Sequence, residues 1–141
     1  MHVILCLDNK DGMLFNHRRQ SQDRVLRGYI LSLCGARALW LNGYSAGQFA
    51  EDKRARLRVD DHFLALAGEG DYCFVEDQQI EPFLDKIENI ILFCWNRVYP
   101  ADRYFDRSLL DHGWILRETD EFVGSSHAKI TKEVYQKCKK S

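Results

Sequence analysis

Apolar and polar positions along the chain fall into short blocks whose period switches between strand-like and helix-like. His2-Val3-Ile4-Leu5-Cys6-Leu7 is a continuous apolar run that stops at Asp8-Asn9-Lys10-Asp11-Gly12, the pattern of a buried strand ending in a turn, and it predicts the central strand of a sheet. From Ser21 the spacing predicts a helix. Ser21 is a good N-cap residue, Asp23 falls in the first turn where negative charge is favoured, and Val25, Leu26, Tyr29, Ile30 and Leu33 form one apolar stripe. Gly35 closes it, as glycines after helices do. Ala38-Leu39-Trp40-Leu41 predicts a second buried strand, followed by the glycine-containing turn Asn42 to Gly47 and one helical turn up to Ala50. Phe63 to Ala67 and Tyr72 to Val75 predict two further strands joined by Gly68-Glu69-Gly70-Asp71.

The junction Tyr72-Cys73-Phe74-Val75-Glu76-Asp77-Gln78-Gln79-Ile80 passes from an apolar run into a second amphipathic pattern, with Ile80, Phe83, Leu84 and Ile87 on one side and Pro82 in the first turn. A strand feeding a helix N-terminus is where α/β proteins commonly hold a phosphate. Here two carboxylates stand in that place, and each close like-charge contact with a phosphate would cost on the order of 1 to 4 kcal/mol. Glu76 and Asp77 are equally well placed to cap the helix. Asn89 to Trp95 is the next strand, so strand, helix and strand imply a right-handed parallel crossover. Trp114 to Thr119 and His127 to Tyr135 alternate as two strands around Asp120 to Ser126. The elements predict an α/β chain of three layers, one domain over residues 1–141, with a mostly parallel central sheet and a C-terminal antiparallel hairpin.

Composition narrows the partners. Twenty basic against 21 acidic residues leave a formal net charge of -1, which gives no bulk attraction to nucleic acid or to an anionic membrane. The run Lys53-Arg54-Ala55-Arg56-Leu57-Arg58 is flanked by Glu51-Asp52 and Asp60-Asp61 and reads as a solvated face, with an RNA contact through it and Arg18-Arg19 as the alternative. No stretch approaches the roughly 20 apolar residues of a membrane span, and the chain opens into a strand without a signal-peptide charge pattern, so a cytoplasmic protein is expected. Cys6, Cys34, Cys73, Cys94 and Cys138 include no C-x-x-C pair, and His2, His17, His62, His112 and His127 form no ligand set. The cysteines read as small core hydrophobes, and no metal is predicted.

The order of elements resembles the dihydrofolate reductase family. Ile4 to Asp8 with Gly12-Met13 is similar to that family's opening strand and following loop, and Gln22-Asp23 to its acidic residue at the head of the first long helix. Phe83-Leu84 through Ile91-Leu92, then Asp102-Arg103-Tyr104-Phe105, Gly113-Trp114 and Ile130 to Tyr135, resemble its helix, penultimate parallel strand, loop and closing strand in order and spacing. The resemblance covers most of the chain and implies that fold, with NADP as cofactor and a pterin substrate.

The departures fall mainly on the cofactor. Glu76-Asp77 stand where the family has the Gly-Gly that admits the pyrophosphate, and Asn42-Gly43-Tyr44-Ser45-Ala46 keeps the glycine of the family's phosphate loop without its arginine and threonine. Gly68 to Asp71 is too short for the strand and helix that complete the adenosine lobe. On the substrate side the resemblance implies Asp23 as the proton-managing residue and a cleft built from Leu5, Asn16, Arg18, Arg19, Arg27 and Phe93, the last replacing a threonine. Asp23 equally fits a structural role at the helix N-terminus. Arg18, Arg19, Arg24 and Arg27 either prepare the cleft for an anion or pair with Asp8 and Asp11 at the surface. The expectation is a divergent member of the fold without a recognisable NADPH site, binding a small polar or anionic ligand near Asp23. An active reductase with an atypical NADP site is the alternative.

Overall fold

A computed structural model of the protein describes residues 1–138. Its centre is a seven-stranded sheet, in the order β5-β4-β6-β1-β7-β10-β9. The members are β1 (His2–Leu7), β4 (Leu39–Leu41), β5 (Leu57–Val59), β6 (Tyr72–Phe74), β7 (Asn89–Cys94), β9 (Trp114–Phe122) and β10 (Ile130–Lys137). Strand β1 is central, parallel to β6 with Ile4 opposite Phe74 and parallel to β7 with Ile4 opposite Ile91. Strands β4 and β5 continue the parallel part, and β10 runs antiparallel to both β7 and β9.

The unbroken apolar character of β1 follows from burial on both faces. Val3, Leu5 and Leu7 pack on one side with Cys73, Leu92, Phe63 and Phe105. Ile4 packs on the other with Phe74, Ile91 and Phe93 against Leu26, Ile30 and Leu31 of helix α1 (Arg24–Cys34) and against Phe49. Helix α1 ends at Gly35, whose φ of 56° lies in the left-handed region that favours glycine.

Four local readings change. Phe63 to Ala67 is not a strand but the short helix α3 (Phe63–Leu66): Phe63, Leu64 and Ala67 are buried while Ala65 and Leu66 are exposed, a helical spacing. Lys86 Nζ closes this helix by donating to the carbonyls of Leu64 and Ala65 at 3.1 and 2.8 Å. The fifth parallel strand comes instead from the basic run, as the edge strand β5, with Arg58 and Val59 exposed. After Asp77 the chain stays irregular until a 3₁₀ helix at Glu81–Lys86, capped at Ile80 without a side-chain bond, so Glu76 and Asp77 cap nothing there. Asp23, not Ser21, is the N-cap of α1.

Strands β2 (Gly12–Phe15), β3 (Arg18–Arg19) and β8 (Arg103–Tyr104) form a small second sheet beside the main one. Asn16 and His17, at φ 51° and 61°, make the two-residue connection between β2 and β3. That turn carries Asn16 to an exposed tip, while Arg19, near the end of β3, is directed back towards the main sheet.

Candidate functional site

The site forms where the start of α1 meets the C-terminal ends of the parallel strands. Asp23 is 1% exposed, and its carboxylate receives five hydrogen bonds. Val25 N, Leu26 N and Ser125 N donate to Oδ1 at 2.9, 3.2 and 2.9 Å. Ser126 N and His127 Nδ1 donate to Oδ2 at 2.8 and 2.9 Å. Burial opposes the ionised form, but the bonds from His127, Ser126, Ser125 and Leu26 outweigh it and hold this carboxyl far below its ordinary value. Gly124 begins the turn that brings these donors, with its N–H donating to His127 O at 2.9 Å. A Cβ there would run into the Asp23 carboxylate, with Ile130 Cδ1 a further 2.9 Å contact. Gly124→Ala is therefore expected to cost about 2–3 kcal/mol, measured as a lower denaturation midpoint; an unchanged midpoint would show the turn to be slack.

His127 lies in the connection between β9 and β10, buried and stacked on Trp95 with ring centroids 4.5 Å apart and planes 27° apart. An ionised carboxylate only accepts, so the hydrogen on Nδ1 is fixed by Asp23 and Nε2 of the neutral ring is left as an acceptor. Two hydroxyls converge on that nitrogen, Ser21 Oγ at 2.9 Å and Tyr99 Oη at 3.1 Å. Ser21, displaced from the capping role by Asp23, lines the adjoining cleft together with Cys6, Arg19, Gln20, Arg27 and Trp95. The cavity volume there is ≈ 20 Å³, room for about one water molecule.

Arg19 and Glu76 close one wall of the cleft. Glu76, 9% exposed just beyond β6, accepts both Nε and Nη2 of Arg19 at 2.9 and 3.0 Å, the bidentate geometry guanidinium favours. Ser45 Oγ adds a 2.7 Å bond to the same carboxylate, and the Arg19 guanidinium lies 4.4 Å from the centre of the Tyr44 ring. Asn42 Nδ2 donates to both oxygens of Asp77 at 3.0 and 3.1 Å, while Asn42 Oδ1 caps the helix α2 (Gly43–Ala46) through Ser45 N. The two loops are thus bonded to each other through Glu76 and Asp77.

Of the residues expected at the substrate cleft, Asp23, Arg19 and Arg27 line one cavity. Leu5 and Phe93 do not line it: strand alternation turns Leu5 to the opposite face of the sheet, whereas Phe93 lies on the same face as Cys6 but is covered by its neighbours. Leu5 faces the α3 side, and Phe93 meets Tyr29 and Phe122 edge-on at 5.6 and 6.2 Å. Asn16 sits at the exposed hairpin tip with its N–H on Asp102 at 2.9 Å, and Arg18 is exposed on β3. The arginines do not pair with Asp8 or Asp11: Asp8 accepts from the N–H groups of Lys10, Gly12 and Tyr99 and from Gln20, and Asp11 is held by Arg107. In the basic run Arg54 pairs with Asp52 and Arg58 lies over Trp40. Cys6 lines the cleft, but burial and the nearby Glu76 push its thiol well up; burial lifts Cys34, Cys73 and Cys94 to about 12. His127, Tyr99 and Trp95 carried no local signal, since His127 meets Asp23 across 104 positions of chain.

The seven-stranded sheet, parallel around β1 and closed by the β9–β10 hairpin, is the dihydrofolate reductase-like fold. The chain superposes on the dihydrofolate reductase from Enterococcus faecalis, complexed with NADP(H) and RAB-propyl, with a TM-score of 0.66 over 96% of this chain and 95% of that one, at 9% sequence identity. No family model matches the sequence, and no curated protein matches it. Among the described residues no helix is long and apolar enough to cross a membrane, and no cluster of three or more metal-ligating side chains occurs.

Proposed function

We propose that this chain is a dihydrofolate reductase-like protein that does not hold NADPH in the manner of the reductases, and that its cleft beside Asp23 binds a small polar or anionic ligand. The Arg19–Glu76 pair carries the first half of this reading. The Glu76 carboxylate, anchored by Arg19 and Ser45, stands at the stretch after β6 where the family's glycines admit a pyrophosphate. A pyrophosphate there would meet a fixed, partly buried negative charge and would have to break a bidentate ion pair. The residues present do not fit that group.

The ligand half rests on polar groups in the same cleft. Gln20 Nε2 is directed to Asp8 Oδ2 and Pro100 O at 3.0 and 3.3 Å, which orients the amide and leaves its buried Oε1 without a donor among the described residues. Arg27 lines the cleft and has no ion-pair partner among the described residues. A buried acceptor without a donor costs about 1–3 kcal/mol, so a small ligand bearing an N–H or O–H gains by meeting it.

NADPH titration tests the reading. A nucleotide bound at 100 times its Kd would stabilise the fold by about 2.7 kcal/mol. The expected result is no rise in melting temperature and no quenching of Trp95 at micromolar NADPH; saturable quenching with a raised melting temperature would overturn it.

A further inference from the structure

We propose that Ser21, His127 and Asp23 form a nucleophilic relay, and that the cleft transfers acyl groups from small esters, with Ser21 Oγ as the attacking atom and His127 as the base. The proposal uses the cleft of the preceding reading but does not need its ligand to be anionic. Three observations meet in it.

The geometry is that of an activated hydroxyl. Ser21 Oγ lies 2.9 Å from His127 Nε2, and His127 Nδ1 lies 2.9 Å from Asp23 Oδ2, within the reach that nucleophile, base and orienting group require. Asp23 is fixed by four backbone N–H groups and the imidazole by its stack on Trp95, so the relay is held before any ligand arrives. The hydroxyl is also free of local structural duty: Asp23 caps α1, and Ser21 faces the cleft with only His127 as its partner among the described residues. The competing nucleophile in the cleft, Cys6, is kept as a thiol by burial.

The chemistry balances with water as co-reactant. Nε2 takes the Ser21 hydroxyl proton as Oγ bonds to the ester carbonyl carbon, and the carbonyl electron pair moves onto its oxygen, where the guanidinium of Arg27 is the available cationic group lining the cleft. Collapse breaks the bond to the alcohol portion, which departs with the proton returned from Nε2. The acyl group is left as an ester on Ser21. Water, deprotonated by Nε2, then attacks the same carbon, releasing the carboxylic acid and restoring the Ser21 hydroxyl. The cavity of ≈ 20 Å³ has room for the carbonyl oxygen at most, so the acyl chain and the alcohol portion both lie outside it.

The test uses the full chain, an alkyl fluorophosphonate and p-nitrophenyl acetate. In the labelling reaction Oγ–P forms, P–F breaks and fluoride leaves. The expected result is a single phosphonyl adduct that maps to Ser21. S21A should lose labelling and fall to the buffer rate of ester hydrolysis while keeping its melting temperature. His127→Gln should slow labelling by at least about 100-fold, and Ser32→Ala, on the exposed side of α1, should label as the parent does. Absence of an adduct, an adduct elsewhere, or hydrolysis by S21A at the parent rate would overturn the proposal. NADPH binding alone would sink the preceding reading and leave this one standing.

Discussion

Replacing Asp23 with alanine is expected to lower stability by about 3–5 kcal/mol, the cost of removing one member of a buried, hydrogen-bonded charged network. For a chain of this length that corresponds to a fall of roughly 10–15 °C in melting temperature. The substitution leaves Val25, Leu26, Ser125 and Ser126 N–H and His127 Nδ1 without their acceptor and removes the N-cap of α1. Urea unfolding of parent and variant measures the loss. A difference under about 1 kcal/mol, the scale of an isolated cap, would mean that the β9–β10 connection is not held by this carboxylate.

The same network sets a pH dependence. Asp23 titrates lower in the folded chain than in the unfolded one, so its stabilising contribution is complete above the unfolded value near 3.8 and is lost as pH falls below it towards the folded value. Acid should therefore destabilise the parent more steeply than Asp23→Asn, whose amide has no proton to take up in that range. A carboxyl held so low also stays ionised at neutral pH, which suits it to orienting His127 rather than to donating protons.

Glu76→Ala is expected to cost about 2–3 kcal/mol, somewhat less than a fully buried pair because the Arg19 side chain keeps 18% exposure. It leaves a largely buried guanidinium and the Ser45 hydroxyl without their acceptor. The paired change Arg19→Met with Glu76→Leu should return to within about 1 kcal/mol of the parent, since apolar replacement of a buried ion pair is often neutral. A double-mutant cycle with no coupling would show that the pair does not act as a unit. Glu76→Ala also frees the Arg19 guanidinium from its carboxylate, so sulfate should raise the melting temperature of this variant more than that of the parent.

The parts of the fold most legible in the sequence were those whose signals are both long and local. The apolar runs of β1 and β7 persist because both faces are covered, and Gly35 marks the end of α1 through its positive φ. The terminal hairpin was visible from its alternation. Segments of three to five residues misled: Phe63 to Ala67 is too short for its period to separate strand from helix, and β5 is hidden in a basic run because an edge strand exposes Arg58.

The site was legible only in part. Asp23 could be singled out from its place at the head of a helix, and Arg19 and Arg27 from their charge. Ser21 was noticed for a capping role that Asp23 fills. His127, Trp95 and Tyr99 depend on how the last hairpin folds over the first helix, which no spacing within either segment encodes. Leu5 and Phe93 were inferred from correspondence along the chain, but strand alternation turns Leu5 to the far face and Tyr29 and Phe122 cover Phe93.

The bonds from Ser125, Ser126 and His127 to Asp23 also bear on the order of events during synthesis. They span 102 to 104 positions, so closing that contact requires nearly the whole chain to be gathered first. A nascent chain halted before the β9–β10 connection would have its first helix capped but its imidazole missing. The chemistry assigned to the cleft would then appear only with the last stretch of chain, and a truncated product would be chemically silent even where its parallel strands had already formed.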